Sequence, residues 1–270
     1  MASVDELLAD LKAEHNKTQI QCSFSGFSTK SVNFFDEYPE DPKVATDWWN
    51  SKGGNSDSGD YQMCLKPEFL SLIESLIQII STRIDKGIQT DAKQCISRPN
   101  SKSGNRRYWP YFWSAIHYAK KPKSNKSVEI QFFMNLTKMG LRVGIYFGEH
   151  STDDGQWGAN RIRFNESKED IFAELIFLTQ KMGYDFVKTD DQDHAIGSIG
   201  TQLSIEEPKE LFKLVFNDEK KFTLLKTLSK EKLFSEHLIQ EILEIFAETR
   251  KIYELLESNS KINQRRLITN

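Results

Sequence analysis

Between residues 128 and 147 the sequence alternates apolar and polar side chains twice, a pattern that few folds accommodate. Val128, Ile130, Phe132, Met134 and Leu136 alternate with Glu129, Gln131, Phe133, Asn135 and Thr137. After Lys138, Met139 and Gly140 the pattern resumes, with Leu141, Val143, Ile145 and Phe147 set against Arg142, Gly144 and Tyr146. A period of two sends the two sets to opposite faces of a strand, and the short break containing a glycine predicts an antiparallel hairpin. One face of that hairpin is apolar throughout and requires other elements to cover it.

Helical periods supply the cover. Ser3 and Glu6 form a capping box before Val4, Leu7, Leu8 and Leu11. Pro67 suits a first turn, and Phe69, Leu70, Ile73, Leu76, Ile77, Ile80 and Ile84 make one stripe of a helix over 66–86. Ser167 and Asp170 open another helix, carrying Ile171, Phe172, Leu175 and Ile176 inward and stopping at Gly183. A short strand over 184–188, a helix over 208–216 and a long helix over 229–258 complete the reading. The order predicts an α+β fold: a central antiparallel or mixed sheet flanked by helices, with a C-terminal helical tail. It divides into an N-terminal helix and irregular acidic segment (1–60), an α+β core (61–205) and a C-terminal helical region (206–270).

The 270 residues hold 18 Phe, 8 Tyr and 5 Trp, too many aromatics for a disordered chain. No apolar run is long enough to cross a bilayer, and Asp5 and Glu6 stand where a basic leader would be, so a cytoplasmic protein with no membrane partner is expected. Cys22, Cys64 and Cys95 are odd in number and far apart, which argues against a disulfide framework or a zinc site.

Charge is more informative by segment than in total. Net charge is -3. Residues 1–60 carry 5 basic and 11 acidic side chains, and residues 151–200 carry 5 and 10. Residues 92–127 carry 9 basic and no acidic ones: Lys93, Arg98, Lys102, Arg106, Arg107, Lys120, Lys121, Lys123 and Lys126. A local positive field of this kind concentrates a polyanion at one surface.

Within that segment, Lys102, Ser103, Gly104, Asn105, Arg106 and Arg107 form a backbone-permissive basic loop whose guanidinium groups suit phosphate oxygens. Tyr108, Trp109, Tyr111, Phe112 and Trp113 follow, and then the basic run from Lys120 to Lys126. Cations between flat rings fit a nucleic acid, the charges meeting phosphates and the rings stacking on bases. In a strand over 109–118, Trp109, Tyr111, Trp113 and Ala115 would share one face and Phe112, Ser114 and Ile116 the other, so one set is core. Trp157, flanked by Gly155 and Gly158 and followed by Asn160, Arg161 and Arg163, is a second candidate surface; the alternative is a ring anchoring a loop.

Catalytic signatures are sparse. The chain has no phosphate-binding loop, no dinucleotide fingerprint, no H-E-x-x-H and no G-x-S-x-G, and no cofactor or metal site is expected. Glu129, Ile130 and Gln131 match the short strand motif with which many restriction nucleases hold a metal. That makes a metal-dependent nuclease one alternative function, and an adaptor binding an acidic protein partner another.

The helix over 66–86, the turn Lys102-Ser103-Gly104-Asn105, the run Trp109-Pro110-Tyr111-Phe112-Trp113 and the hairpin from Ile130 to Tyr146 together resemble the N-terminal DNA-recognition domains of McrB-type restriction proteins. The resemblance covers residues 66–182. It implies a non-catalytic domain that selects specific or modified sites in double-stranded, including methylated, DNA, in some relatives by flipping a modified cytosine into an aromatic pocket. It also implies an AAA+ motor and a nuclease subunit as partners, the long helix over 229–258 standing where a linker to the motor would begin. On this reading Lys102, Arg106, Arg107, Lys120, Lys121 and Lys123 contact phosphates, Ser103 and Asn105 position the loop, and Tyr108, Trp109, Tyr111 or Trp157 face a base, with Asn160 and Arg161 beside the last.

Overall fold

The computed structural model describes residues 24–39, 41, 44–54, 56–84, 91–96, 110–116, 131–147, 168–189, 201–202 and 221–268. The expected hairpin is present as β2 (Gln131–Thr137) and β3 (Gly140–Tyr146), paired antiparallel with Phe132 opposite Ile145, Met134 opposite Val143 and Leu136 opposite Leu141. Lys138 and Met139 make the turn. Gly140 takes φ +123°, and a Cβ there would stand 2.2 Å from the Leu228 carbonyl oxygen, so both the backbone angle and the space require glycine.

β1 (Tyr111–Ile116) adds antiparallel to β2. Of its two faces, Phe112, Ser114 and Ile116 turn to the core. At the start of the basic segment, the short α4 (Ala92–Cys95) is capped by the Asp91 carboxylate, and the next residue, Ile96, bridges to Ser114. The sheet continues through β4 (Asp185–Thr189), β5 (Thr201–Gln202) and β6 (Lys221–Leu228) in the order β1-β2-β3-β6-β4-β5, every pair antiparallel. The fold is α+β.

Two strands, β5 and β6, went unrecognised in the sequence. β6 lies at the centre of the sheet, yet its core-facing set, Leu224, Lys226 and Leu228, is interrupted by a lysine. That lysine has partners: its Nζ donates to Oε2 of Glu248 at 3.4 Å and sits 5.2 Å from the centre of the Tyr184 ring. The Tyr184 hydroxyl donates to the same carboxylate at 2.5 Å.

Burial, and after it the hydrogen bond to Glu248, raises the proton affinity of the Tyr184 phenol well above its ordinary value of 10.0. The folded state therefore holds this proton more tightly than the unfolded chain does. The contribution of the group to stability is fully present below the ordinary phenol range and is lost as pH rises above it. Tyr184→Phe should remove that alkaline fall and, at neutral pH, lower stability by roughly 1.5–3 kcal/mol, the usual loss for a hydrogen bond to a charged acceptor. Urea unfolding at neutral and alkaline pH checks both.

The helices lie on the face of the sheet that carries Phe112, Phe132, Met134 and Val143. The N-terminal region forms α1 (Thr29–Val32), capped by the Ser28 hydroxyl, and α2 (Ala45–Ser51). A π-helical turn (Tyr61–Leu65) leads into α3 (Lys66–Ile79), where Pro67 occupies the first turn as expected, and the helix ends in a second π-helical turn (Ile80–Ile84). α5 (Lys168–Lys181) is closed by Gly183 at φ +73°. The long helix predicted over 229–258 is broken. A short α6 (Lys230–Leu233) precedes α7 (Leu238–Ile268), with Phe234 to His237 as a turn between them. α7 packs on α3, α5 and β3, its Phe246 ring meeting Phe132 edge-on at 4.9 Å.

A single apolar cluster runs from Phe24 to Ile252 and joins the N-terminal aromatics, the inner sheet face and the helices. The helices predicted over 3–11 and 208–216 lie outside the described residues. Among the described residues no helix is long and apolar enough to cross a membrane.

Candidate nucleic-acid interface

The sheet face opposite the helices carries the polar half of the hairpin alternation. Successive residues of a strand point to opposite sides, so Tyr111, Trp113 and Ala115 of β1, Phe133, Asn135 and Thr137 of β2, Arg142, Gly144 and Tyr146 of β3, Thr223 and Leu225 of β6, and Asp185 and Val187 of β4 share this face. Ala115, Val187 and Leu225 are buried on it but stand outside the main apolar cluster.

Three rings cross this face diagonally. Trp113 lies 5.9 Å from Phe133 with the planes 32° apart, and Phe133 lies 5.5 Å from Tyr146, again at 32°. All three are half-buried. Aromatic rings set side by side on a sheet surface are a platform on which bases can stack.

A polar row meets the rings at Trp113. Cross-strand register sets Trp113 opposite Asn135 and Asn135 opposite Arg142, which brings neighbouring Cβ atoms to about 5 Å. Asn135 is 8% exposed and Arg142 is 6% exposed. Among the described residues, Nε and Nη2 of Arg142 and Oδ1 of Asn135 make no hydrogen bond. Burial lowers the proton affinity of the guanidinium from its usual range, and the carboxylate of Asp185, on the same face, opposes that shift.

Of the site residues expected from the sequence, Tyr111 falls within the described structure. It is half-buried on the outer face of β1, two residues before Trp113. Lys102, Ser103, Asn105, Arg106, Arg107, Tyr108, Trp109, Lys120, Lys121, Lys123, Trp157, Asn160 and Arg161 lie outside the described residues, as does Glu129. Gln131 opens β2 opposite Tyr146. Among the described residues no three His, Cys, Asp or Glu side chains gather closely enough to hold a metal ion.

Sequence reasoning passed over Asn135, Arg142 and the Phe133–Tyr146 stack. The signal was present: two aromatics and an arginine stood in the polar half of an alternating hairpin, where small polar residues would serve a solvated face. Fold and site together define an α+β protein with an aromatic, arginine-bearing sheet face. No protein-family model and no curated protein matches the chain.

Proposed function

We propose that this chain is a non-catalytic DNA-binding module of a restriction or defence system, working in the cytoplasm beside a motor and a nuclease. The observation that carries the reading is the arrangement of charge about one strand. All nine basic residues of 92–127 precede or follow β1 in the sequence, with no acidic residue among them, and β1 contributes the first ring of the stacked row. Cations entering and leaving such a strand would neutralise phosphates while the rings meet bases. The role in defence, the choice of specific or methylated sites and the flipping of a base rest on the resemblance to McrB-type recognition domains.

Binding of fluorescently labelled plain and methylated duplexes, followed by anisotropy across a salt series, tests this reading. Affinity should fall steeply with salt, with a logarithmic slope equivalent to several released counterions. A flat salt dependence, or no binding at low salt, contradicts it. Magnesium-dependent cleavage that Glu129→Ala abolishes would replace it with the nuclease alternative.

A further inference from the structure

We propose that the seam between residues 24–28 and α3 is a docking groove for an extended peptide of a partner protein, with a lysine or arginine of that peptide seated on Glu68. The inference is independent of the nucleic-acid reading, because the seam lies among the helices and not on the outer face of the sheet.

The seam holds a cavity of about 490 Å³, a volume in the range of ligand sites. Phe24, Ser25 and Gly26 form one wall, and Pro67, Glu68 and Ser71 of α3 form the other. Ser25 and Pro67 are exposed, so the cavity opens to solvent between the walls. Two hydrogen bonds fix their separation. The Phe27 N–H donates to the Leu233 carbonyl at 2.8 Å, and the Ser28 N–H donates to Oε2 of Glu68 at 2.9 Å. The groove is therefore formed before any partner arrives, which lowers the cost of binding.

The lining sets the chemistry of the occupant. Glu68 is the one charged side chain on it, is half-buried, and makes no ion pair among the described residues. The Ser28 N–H engages one carboxylate oxygen and leaves acceptor capacity for a cation. Between Phe24 and Pro67 such a carboxylate suits a basic side chain, whose apolar stem lies along those surfaces while its charged end meets the oxygen. One wall belongs to the N-terminal region, whose 11 acidic and 5 basic side chains over residues 1–60 also attract a basic peptide. The same charge turns phosphate away, so nucleic acid is not the occupant.

The rim points to an extended chain over a free amine. Among the described residues the main-chain N–H and C=O groups of Ser25 and Gly26 make no hydrogen bond, and an extended peptide pairs with such groups. Phe234, whose carbonyl stands against Gly26, is 46% exposed and offers a surface to an apolar residue beside the basic one.

Binding of the labelled full chain to an array of nonapeptides, each with one variable residue at the centre of an alternating Leu-Ser background, tests the assignment. Peptides with central lysine or arginine should bind roughly 10-fold or more tightly than those with citrulline or norleucine, as expected for a hydrogen bond to a charged group. Glu68→Gln keeps an acceptor for the Ser28 N–H and removes the charge, and it should erase that preference. Ser71→Lys, which sets a cation of the chain's own on the groove wall, should erase it too. Equal binding of basic and neutral peptides, or a basic preference that survives both variants in folded protein, overturns the groove. Butylammonium binding as tightly as the basic peptides overturns the peptide as occupant.

Discussion

Phe112→Ala should lower the unfolding free energy by about 3–5 kcal/mol, the range for deleting a fully buried phenyl ring. The Phe112 ring is fully buried where three parts of the chain converge. It meets Phe69 of α3 edge-on at 4.9 Å and Tyr61 at 5.8 Å, while its own strand pairs it with Leu136. Truncation removes both ring contacts and leaves a cavity that the sheet and helix close only in part. Trp113→Ala, one residue away on the opposite face, should cost much less, because that ring is half-buried and stacks on Phe133 at the edge of the sheet. Urea unfolding followed by circular dichroism compares the two. Equal losses would contradict the assignment of faces on β1.

Arg142→Met should act in the opposite direction and stabilise the ligand-free protein by about 1–3 kcal/mol, the usual penalty for buried donors without partners. Methionine has a similar length and no polar hydrogen, and replacing a buried charged group by an apolar one of like volume is often stabilising. The half-buried Asp185 would lose its neighbouring cation, which trims the gain. A gain in stability would mark Arg142 as a residue kept at a cost to the fold. A loss of 3 kcal/mol or more would instead mean that the guanidinium is paired within the folded chain, contrary to the site described here.

Much of the architecture can be read from the order of residues, for identifiable reasons. The hairpin, α3 and α5 follow from long, unbroken periods, and Gly140 and Gly183 stand where positive φ ends a strand turn and a helix. β6 escaped because Lys226 occupies a core-facing position, and its partners, Glu248 and Tyr184, come from distant parts of the sequence. The break between α6 and α7 was hidden because Leu233 and Leu238 both end up buried, so the apolar pattern continues across a turn that interrupts the backbone. Of the candidate interface, Tyr111 was legible in the sequence; the basic loop lies outside the described residues. The pairing of Asn135 with Arg142 and the ring stack depend on register across three strands, which no single segment encodes.

The most direct test of the DNA-binding account is the salt dependence of duplex affinity in the Arg106→Ala, Arg107→Ala double variant, measured beside the unaltered chain. Two lost phosphate contacts should reduce the logarithmic slope by about 2 and weaken binding similarly on every duplex sequence. An unchanged slope in a folded variant would contradict the account, because the basic segment around β1 would then not be where the phosphates lie.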